Sequence, residues 1–364
     1  MATTTHQYQP DFVTPPGYTL KETLETTGMS QKELADRMGR PIKTISEIIN
    51  GKTQITSETA IQLENVLGIP ATFWLSREGR YREYLAKEEE KKRLETQKDL
   101  LSELPLKDLR KRGYLSKTRD KITQVKEAIT YYGINDLSQI DKVYFESSFQ
   151  FRKSKKYDLN IKHLAAWIRE GELDAEKIHT EPYSKEKFLK ALENIRYLTR
   201  EEPEIFHPKM IELCRHAGVA FVMVQQYEKC RTSGLARWLR PNKALIQLSL
   251  RYKTDDHFWF SFFHEAAHIL FHSKKQTFLD DYKTKSGADE IEEEANQFAA
   301  NFLIPEDLYQ QIIGDLPLGR DKIINFAEQL KISPGILVGR LQHDKVIEYG
   351  WMNDLKRKFI WKHN

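Results

Sequence analysis

The sequence predicts a multidomain protein with an all-α N-terminal domain, a helical middle region and an α+β C-terminal domain. Three observations support this fold class. Up to residue 86, short apolar helices are separated by glycine turns. Charged residues at helical spacing dominate 87–204. From 205 to 364, apolar, β-branched segments typical of strands alternate with helices, and further helices follow. The 364 residues are enough for two or three separate cores.

The composition limits the possible locations and partners. No apolar run approaches the roughly 20 residues of a membrane helix, and the first residues lack the segments of a signal peptide. Cys214 and Cys230 are too few for a disulfide framework, so we expect a cytoplasmic protein without a membrane partner. A net charge of +4 is too small to decide on a nucleic-acid partner, so DNA binding must be argued locally.

The N-terminal domain shows regular helix start and stop signals. Ser30 with Glu33 forms a capping box, and Gly39 ends the helix that follows. A second helix is predicted from Pro41 to Asn50, after a tight turn. A third helix, capped by Ser57, completes a compact bundle.

The segment Phe262–His272, FFHEAAHILFH, places polar side chains in one of the most apolar stretches of the chain. His264 and His268 lie four residues apart, so on a helix they share one face, as ligands of a single metal ion require. Glu265 is rotated by about 100° from His264, within reach of a water on the metal but not as a ligand. This H-E-x-x-H arrangement is typical of zinc peptidases, in which the glutamate is the general base.

A coincidental match is the alternative interpretation of this motif. Buried polar groups without compensation cost roughly 1–3 kcal/mol each, and a bound metal would offset that cost. His272 continues the four-residue series but lies about 12 Å along the axis from His264, too far to share one ion with it. It is therefore expected to support the site from outside or to face solvent.

The helix predicted for 291–305, IEEEANQFAANFLIP, offers a third metal ligand. Glu292 is favoured because it begins the apolar stripe of this helix and so faces inward. Asn296, one turn later, is placed to support a ligand histidine. Glu293 and Glu294 are expected to face solvent. An ordinary amphipathic helix without a ligand remains the alternative.

These motifs resemble the ImmA/IrrE family of HExxH metallopeptidases, through HEAAH followed by EEEANQFAANFLIP, over roughly 205–345. The resemblance implies a zincin-like fold of the gluzincin type and a zinc metalloendopeptidase activity. It implies that His264, His268 and Glu292 hold Zn2+ and that Glu265 is the catalytic base. Members of this family commonly cut a repressor or another partner encoded nearby. Manganese or iron would also suit such a ligand set.

Residues 15–85 resemble the Xre/Cro helix-turn-helix family, and within it the HigA-type antitoxins, through SQKELADRMGRPIKTISEIINGKTQITSETAIQLENVLGIPATFWL. The resemblance implies that the helix from Pro41 to Asn50 enters the major groove of double-stranded operator DNA and that the N-terminal region forms a homodimer. The expected DNA-binding residues are Gln31, Arg40, Lys43, Thr44, Ser46 and Lys52. Pro41 and Ile42 touch a thymine methyl at most, so the base sequence stays open.

The sequence therefore predicts a cytoplasmic DNA-binding regulator with a zinc endopeptidase domain that cleaves a regulatory protein partner. One alternative is a non-enzymatic antitoxin and repressor that neutralises a toxin encoded nearby, with a structural or dormant metal site. The intact Glu265 weighs against it, because a structural site needs no general base. The other alternative is a peptidase whose N-terminal helices recognise only protein substrates.

Overall fold

The structure is a computed structural model that describes 13–146, 160–272, 278–279 and 288–361. Contacts between Cα atoms group the chain into two compact units, 1–98 and 99–364, which are described separately below. The predicted domain boundaries after 86 and 204 stay predictions. The described residues are mostly helical and include a small mixed sheet in the second unit, which confirms the predicted multidomain fold class. Among them, no helix combines the length and the hydropathy needed to cross a membrane.

The first unit is a helical bundle whose described helices pack around one apolar core. These helices are α1 (Pro16–Thr27), α2 (Gln31–Met38), α3 (Ile42–Ile49), α4 (Ser57–Leu67) and α5 (Ala71–Glu95). The completely buried side chains of the core include Leu20, Leu34, Ile45, Leu63 and Trp74. Each helix contributes to this core, which fixes the angle between α2 and α3.

The helix ends follow the turn signals of the sequence, with two exceptions. The Ser30 hydroxyl accepts a hydrogen bond from the backbone N–H three residues on, and Gly39 ends α2 in the left-handed region at φ 64°. Pro41 is the residue before α3, so that helix begins one residue later than predicted. The prediction that Ser57 caps α4 is wrong. Thr56 has the extended backbone of a cap, and its hydroxyl accepts the bond instead.

The second unit surrounds a four-stranded sheet with helices on both faces. Its described helices are α6 (Leu106–Lys111), α7 (Lys121–Tyr132), α8 (Ile161–Lys177), α9 (Lys185–Tyr197), α10 (Pro203–His216), α11 (Asp255–Phe271), α12 (Ala288–Leu303), α13 (Glu306–Gly314), α14 (Arg320–Leu330) and α15 (Pro334–His343). Its described strands are β1 (Val219–Met223), β2 (Gly234–Arg240), β3 (Lys243–Leu248) and β4 (Phe278–Leu279). The strand order is β1-β3-β2-β4, with β1 parallel to β3 and the other pairs antiparallel.

Strand β3 is buried along its whole length. It packs against α11 on one face and against α8 on the other. On one face, Ile246 belongs to the same apolar core as Phe262 of α11. On the other face, the side-chain amide of Gln247 donates to the carbonyl of Trp167 in α8 at 2.7 Å. A Cβ at Gly171 would lie 1.9 Å from the Gln247 oxygen, so glycine is required for this close approach. The sheet is thus enclosed between α8 and α11.

Two aspartates anchor the first turn of α11, where negative charge also complements the helix dipole. Asp255 is completely buried and accepts hydrogen bonds from the Ser333 hydroxyl at 2.5 Å and the Arg357 backbone N–H at 3.1 Å. Burial raises the pKa of Asp255, although Ser333 and Arg357 oppose the shift. Asp256 forms an ion pair with Lys356 at 2.6 Å, with both side chains 8% exposed. These bonds fix the end of α11 that precedes the candidate site.

Candidate metal centre

Three side chains of the second unit converge on one point between α11 and α12. His264 and His268 project from successive turns of α11, and their Nε2 atoms lie 3.0 Å apart. Glu292, in the first turns of α12, places its carboxylate oxygens 3.2 Å from Nε2 of His264 and 3.7 Å from Nε2 of His268. The imidazoles are 2% and 1% exposed, and the glutamate side chain is 33% exposed. The structure therefore brings together the three residues that the sequence suggested as ligands.

The geometry of this cluster fits a tetrahedral metal ion. Zinc bonds of about 2.1 Å place neighbouring tetrahedral ligand atoms about 3.4 Å apart. The two Nε2 atoms lie 3.0 Å apart, Oε2 of Glu292 lies 3.2 Å from Nε2 of His264, and Oε1 lies 3.7 Å from Nε2 of His268, all within about 0.4 Å of that value. Two imidazoles and one carboxylate also form the donor set of catalytic zinc sites that keep a fourth position open. The cluster is thus suited to zinc in both chemistry and size.

The protonation state of His268 also suits a metal. Burial, together with the nearby His264 and His272 side chains, lowers the pKa of His268 to about 2. His268 is therefore neutral at physiological pH, as a metal ligand must be. Nδ1 of His264 lies 3.0 Å from the side-chain oxygen of Asn296. If that nitrogen donates to Asn296, Nε2 of His264 presents its lone pair to the centre.

Glu265 lies beside the cluster but on the side of α11 that faces β2. Its side chain is completely buried. A Cβ on Gly234, the first residue of β2, would lie 2.4 Å from Oε1 of Glu265. Only glycine at this position leaves room for the carboxylate. The backbone of β2 therefore fixes the position of Glu265 next to the two histidines, and its catalytic role remains a prediction.

Two residues extend the cluster toward the surface. The His272 side chain is 6% exposed, and its Nδ1 lies 2.8 Å from Nδ1 of His268. Its Nε2 lies 3.2 Å from a carboxylate oxygen of Glu294. Glu294 was expected to face solvent, and its side chain is 59% exposed, yet one oxygen turns toward His272. The four-residue spacing of the histidines was the signal that places His272 on this face of the helix.

A cavity of about 590 Å³ adjoins the cluster between α11, α12 and α15. Phe260 and Asn296 line it, and both also lie next to His264. Its wall includes apolar side chains such as Ile336 as well as the charged Arg340. A cavity of this size and mixed character is within the usual range of ligand-binding pockets.

The predicted DNA-binding residues of the first unit differ in their exposure. Lys43 and Lys52 are exposed, whereas Gln31, Thr44 and Ser46 are half-buried. Arg40 is turned toward α4, where its guanidinium donates to Gln62 and lies 3.0 Å from the Glu58 carboxylate. The Arg40 side chain is only 22% exposed. The structure thus presents the two lysines to solvent and holds Arg40 within the bundle, and the DNA-binding roles stay predictions.

Each of the two units contains a region that matches a known protein family. Residues 20–74 match the helix-turn-helix family, and 229–342 match the IrrE N-terminal-like domain of the M78 peptidases. Both resemblances read from the sequence are confirmed. The chain carries a helix-turn-helix DNA-binding domain followed by an IrrE-like peptidase domain.

An addiction module antidote protein of the HigA family from Coxiella burnetii is 30% identical in sequence. The match covers 23% of this chain and 91% of that protein, with a TM-score of 0.21. No curated protein matches the chain.

Proposed function

We propose that this chain is a DNA-binding regulator whose second unit is a zinc-dependent endopeptidase that cleaves a regulatory protein partner. One observation carries the proposal. The Nε2 atoms of His264 and His268 and the carboxylate of Glu292 converge within 4.8 Å, and the buried Glu265 directly follows His264 in α11. The helix-turn-helix and IrrE-like domain matches support the combination of the two activities.

The residues divide the chemistry of peptide hydrolysis among them. His264, His268 and Glu292 would hold zinc, which supplies Lewis-acid polarisation of the scissile carbonyl and activation of a water. Glu265 accepts the proton of the attacking water and delivers it to the nitrogen of the leaving amine. Contact with Gly234 keeps the Glu265 carboxylate in place, so little reorganisation is needed during proton transfer.

A polypeptide substrate agrees with the space around the site. The cavity of about 590 Å³ extends from Phe260 and Asn296 between α11, α12 and α15. It is large enough for side chains of a bound protein segment. The choice of a regulatory protein encoded nearby and of operator DNA rests on the family resemblances, whereas the proposed cytoplasmic location rests on the composition.

The proposed DNA interface is the surface of α3. Lys43, with 84% of its side chain exposed, and Lys52 are placed to contact phosphates. Ile42, at the first turn of α3, is 52% exposed and suits contact with a thymine methyl. We propose that a homodimer formed through the N-terminal region binds a palindromic operator, because one such small surface gives weak affinity alone.

Co-expression with the protein encoded by the neighbouring gene tests the endopeptidase. We expect the wild type and the Glu265→Gln variant each to hold about one zinc per chain, and only the wild type to cleave the neighbour. Glu290→Gln, which removes an exposed carboxylate of α12 outside the cavity, is the matched control and should cleave like the wild type. If zinc is held by both and neither cleaves, the enzymatic proposal is wrong for that partner, and a non-enzymatic antitoxin becomes the better account.

A further inference from the structure

The two candidate ligand histidines have different outer partners. His264 contacts the side-chain oxygen of Asn296 at 3.0 Å. His268 contacts a second imidazole, that of His272, which in turn contacts the carboxylate of Glu294. Nothing in the proposed hydrolysis uses His272 or Glu294. His272 nevertheless contacts the candidate ligand His268 directly, and Glu294 contacts it through His272. The His272 side chain is only 6% exposed.

The short contact between the imidazoles restricts where their hydrogens are. Nδ1 of His268 and Nδ1 of His272 lie 2.8 Å apart, so one nitrogen donates and the other accepts. Metal binding through Nε2 of His268 leaves the ring hydrogen of that residue on Nδ1, which makes His268 the donor. His272 then accepts on Nδ1 and carries its own hydrogen on Nε2. That hydrogen points to Glu294, whose oxygen lies at 3.2 Å.

We propose that His272 and Glu294 form a positioning relay that fixes the orientation and the metal-binding tautomer of His268. The proposal rests on the metal centre proposed above. In the relay, Glu294 accepts from Nε2–H of His272, and Nδ1 of His272 accepts from Nδ1–H of His268. Each link selects the tautomer of the next imidazole, so a carboxylate on α12 sets the direction of a lone pair on α11.

The relay gives Nδ1 of His268 an outer partner, the imidazole of His272. Outer partners of metal-ligating histidines typically contribute 10- to 100-fold to metal affinity. Because Glu294 is reached through one further imidazole, its removal should cost less than the removal of His272. His272 and Glu294 are therefore positioning residues, and they touch neither substrate nor the reacting atoms.

Zinc affinity, measured by competition with a chelator on the full-length chain, tests the relay. We expect His272→Leu, which replaces the imidazole by an apolar side chain of similar size, to weaken zinc binding by about 10- to 100-fold. His272→Gln should lose less, because its amide oxygen accepts the Nδ1–H of His268. Glu294→Ala should weaken binding by up to about tenfold, and Glu294→Gln less, because a carbonyl oxygen still accepts from His272.

Glu294→Ala should leave the fold intact, because the Glu294 side chain is exposed and its removal creates no cavity in the core. A loss of zinc affinity in this variant therefore does not reflect unfolding. Glu293→Ala, one residue earlier, is the matched control and should bind zinc like the wild type. If His272→Leu and Glu294→Ala both bind zinc within about twofold of the wild type, the relay is refuted, while the metal centre stands. If the wild type itself binds no zinc, the metal centre is refuted and the relay with it.

The imidazole nitrogens of the zinc-loaded protein give a second readout that a merely space-filling role would not affect. Nitrogen-15 spectra should show the ring hydrogen of His268 on Nδ1 and that of His272 on Nε2. In Glu294→Ala, the single tautomer of His272 should be replaced by a mixture. A His272 that carries its hydrogen on Nδ1 in the zinc-loaded wild type would overturn the proposal.

Discussion

The surface of α3 and the metal centre on α11 hold their functional groups in opposite ways. The Lys43 side chain is 84% exposed, and its Nζ lies 3.9 Å from a carboxylate oxygen of Glu47. His264 and His268 are nearly inaccessible, and both nitrogens of each ring lie within hydrogen-bond distance of another side chain. An exposed cation contributes a small interaction free energy that is nearly independent of its neighbours. In a buried network, the removal of one member also weakens the interactions of the others.

The two regions should therefore differ in the size of mutational effects. In the metal centre, each group is positioned by partners from other elements, including Gly234 of β2 and Asn296 of α12. On α3, the positions of the exposed side chains are set mainly by the helix itself. Substitutions in the centre are expected to act on zinc or on catalysis by orders of magnitude, and those on α3 by small factors.

The largest expected effect is the loss of a metal ligand. Glu292→Ala should weaken zinc binding by more than the roughly 100-fold that outer partners contribute, because it removes a directly bonded oxygen and its charge. Zinc affinity measured by chelator competition checks this expectation. Glu293→Ala is the control on the same turn. Wild-type zinc affinity in Glu292→Ala would remove this residue from the ligand set.

The next expected effect is on catalysis alone. Gly234→Ala places a Cβ where it would lie 2.4 Å from Glu265 Oε1, so the carboxylate must shift. Displacement of a catalytic group by about 1 Å typically costs about 100-fold in rate. Cleavage should fall by about that factor while zinc content stays unchanged. Gly350→Ala, where a new Cβ meets nothing within 4 Å, is the control, and equal cleavage by the two variants would contradict the role of Gly234.

A smaller effect is expected on the exposed surface of α3. Lys43→Ala should weaken binding to a promoter fragment about three- to tenfold at low salt and reduce the salt dependence by about one phosphate contact. Gel-shift titrations at several salt concentrations measure both quantities. Lys91→Ala, at an exposed position of α5, is the control. An unchanged salt slope in Lys43→Ala would show that this lysine does not contact phosphate.

Arg40 belongs to the predicted DNA-binding residues, but its side chain contacts Glu58 and Gln62. Arg40→Ala should lower the free energy of unfolding by at most about 1 kcal/mol, since Glu58 is largely exposed. Operator affinity should change less than in Lys43→Ala. Urea unfolding and the same gel-shift titration check these two expectations. A loss of operator affinity larger than that of Lys43→Ala would return Arg40 to the interface.

The smallest expected effect concerns the two thiols of the second unit. Burial raises the pKa of Cys214, and it raises the pKa of Cys230 to about 12. Because the pH must approach the raised pKa before thiolate forms, only about one Cys230 in 10⁴ is ionised at pH 8. Iodoacetamide should label neither cysteine in the native protein and both after unfolding in guanidinium. Rapid native labelling of either residue would contradict its inert, buried role.

Much of the helical structure could be predicted from local signals. Ser30 and Gly39 bound α2 as expected, because capping and left-handed turn chemistry depend on neighbouring residues alone. The strand β2 was not predicted from periodicity. Its Arg237 and Arg240 face Glu172 and Glu176 of α8 at 2.6 and 2.8 Å, so the partners of its charges come from a distant part of the chain.

The candidate metal centre could be predicted from the sequence only where residue spacing determines which face of a helix a side chain occupies. The four-residue interval of His264 and His268 and the inward stripe beginning at Glu292 place all three groups together in the structure. The turn of Glu294 toward His272 depends on the packing of α12 against α11, which no local pattern encodes. The same limit applies to Gly234, whose importance lies in the carboxylate that packs against it.

We propose that His264, His268 and Glu292 form a zinc centre. X-ray absorption at the zinc edge of the purified full-length chain, together with its metal content, tests this proposal. We expect about one zinc per chain, bound to two imidazoles and to oxygen ligands at about 2.0–2.2 Å, and loss of that signal in His268→Ala. A chain purified without metal, or zinc bound through sulfur or without imidazole, would contradict it.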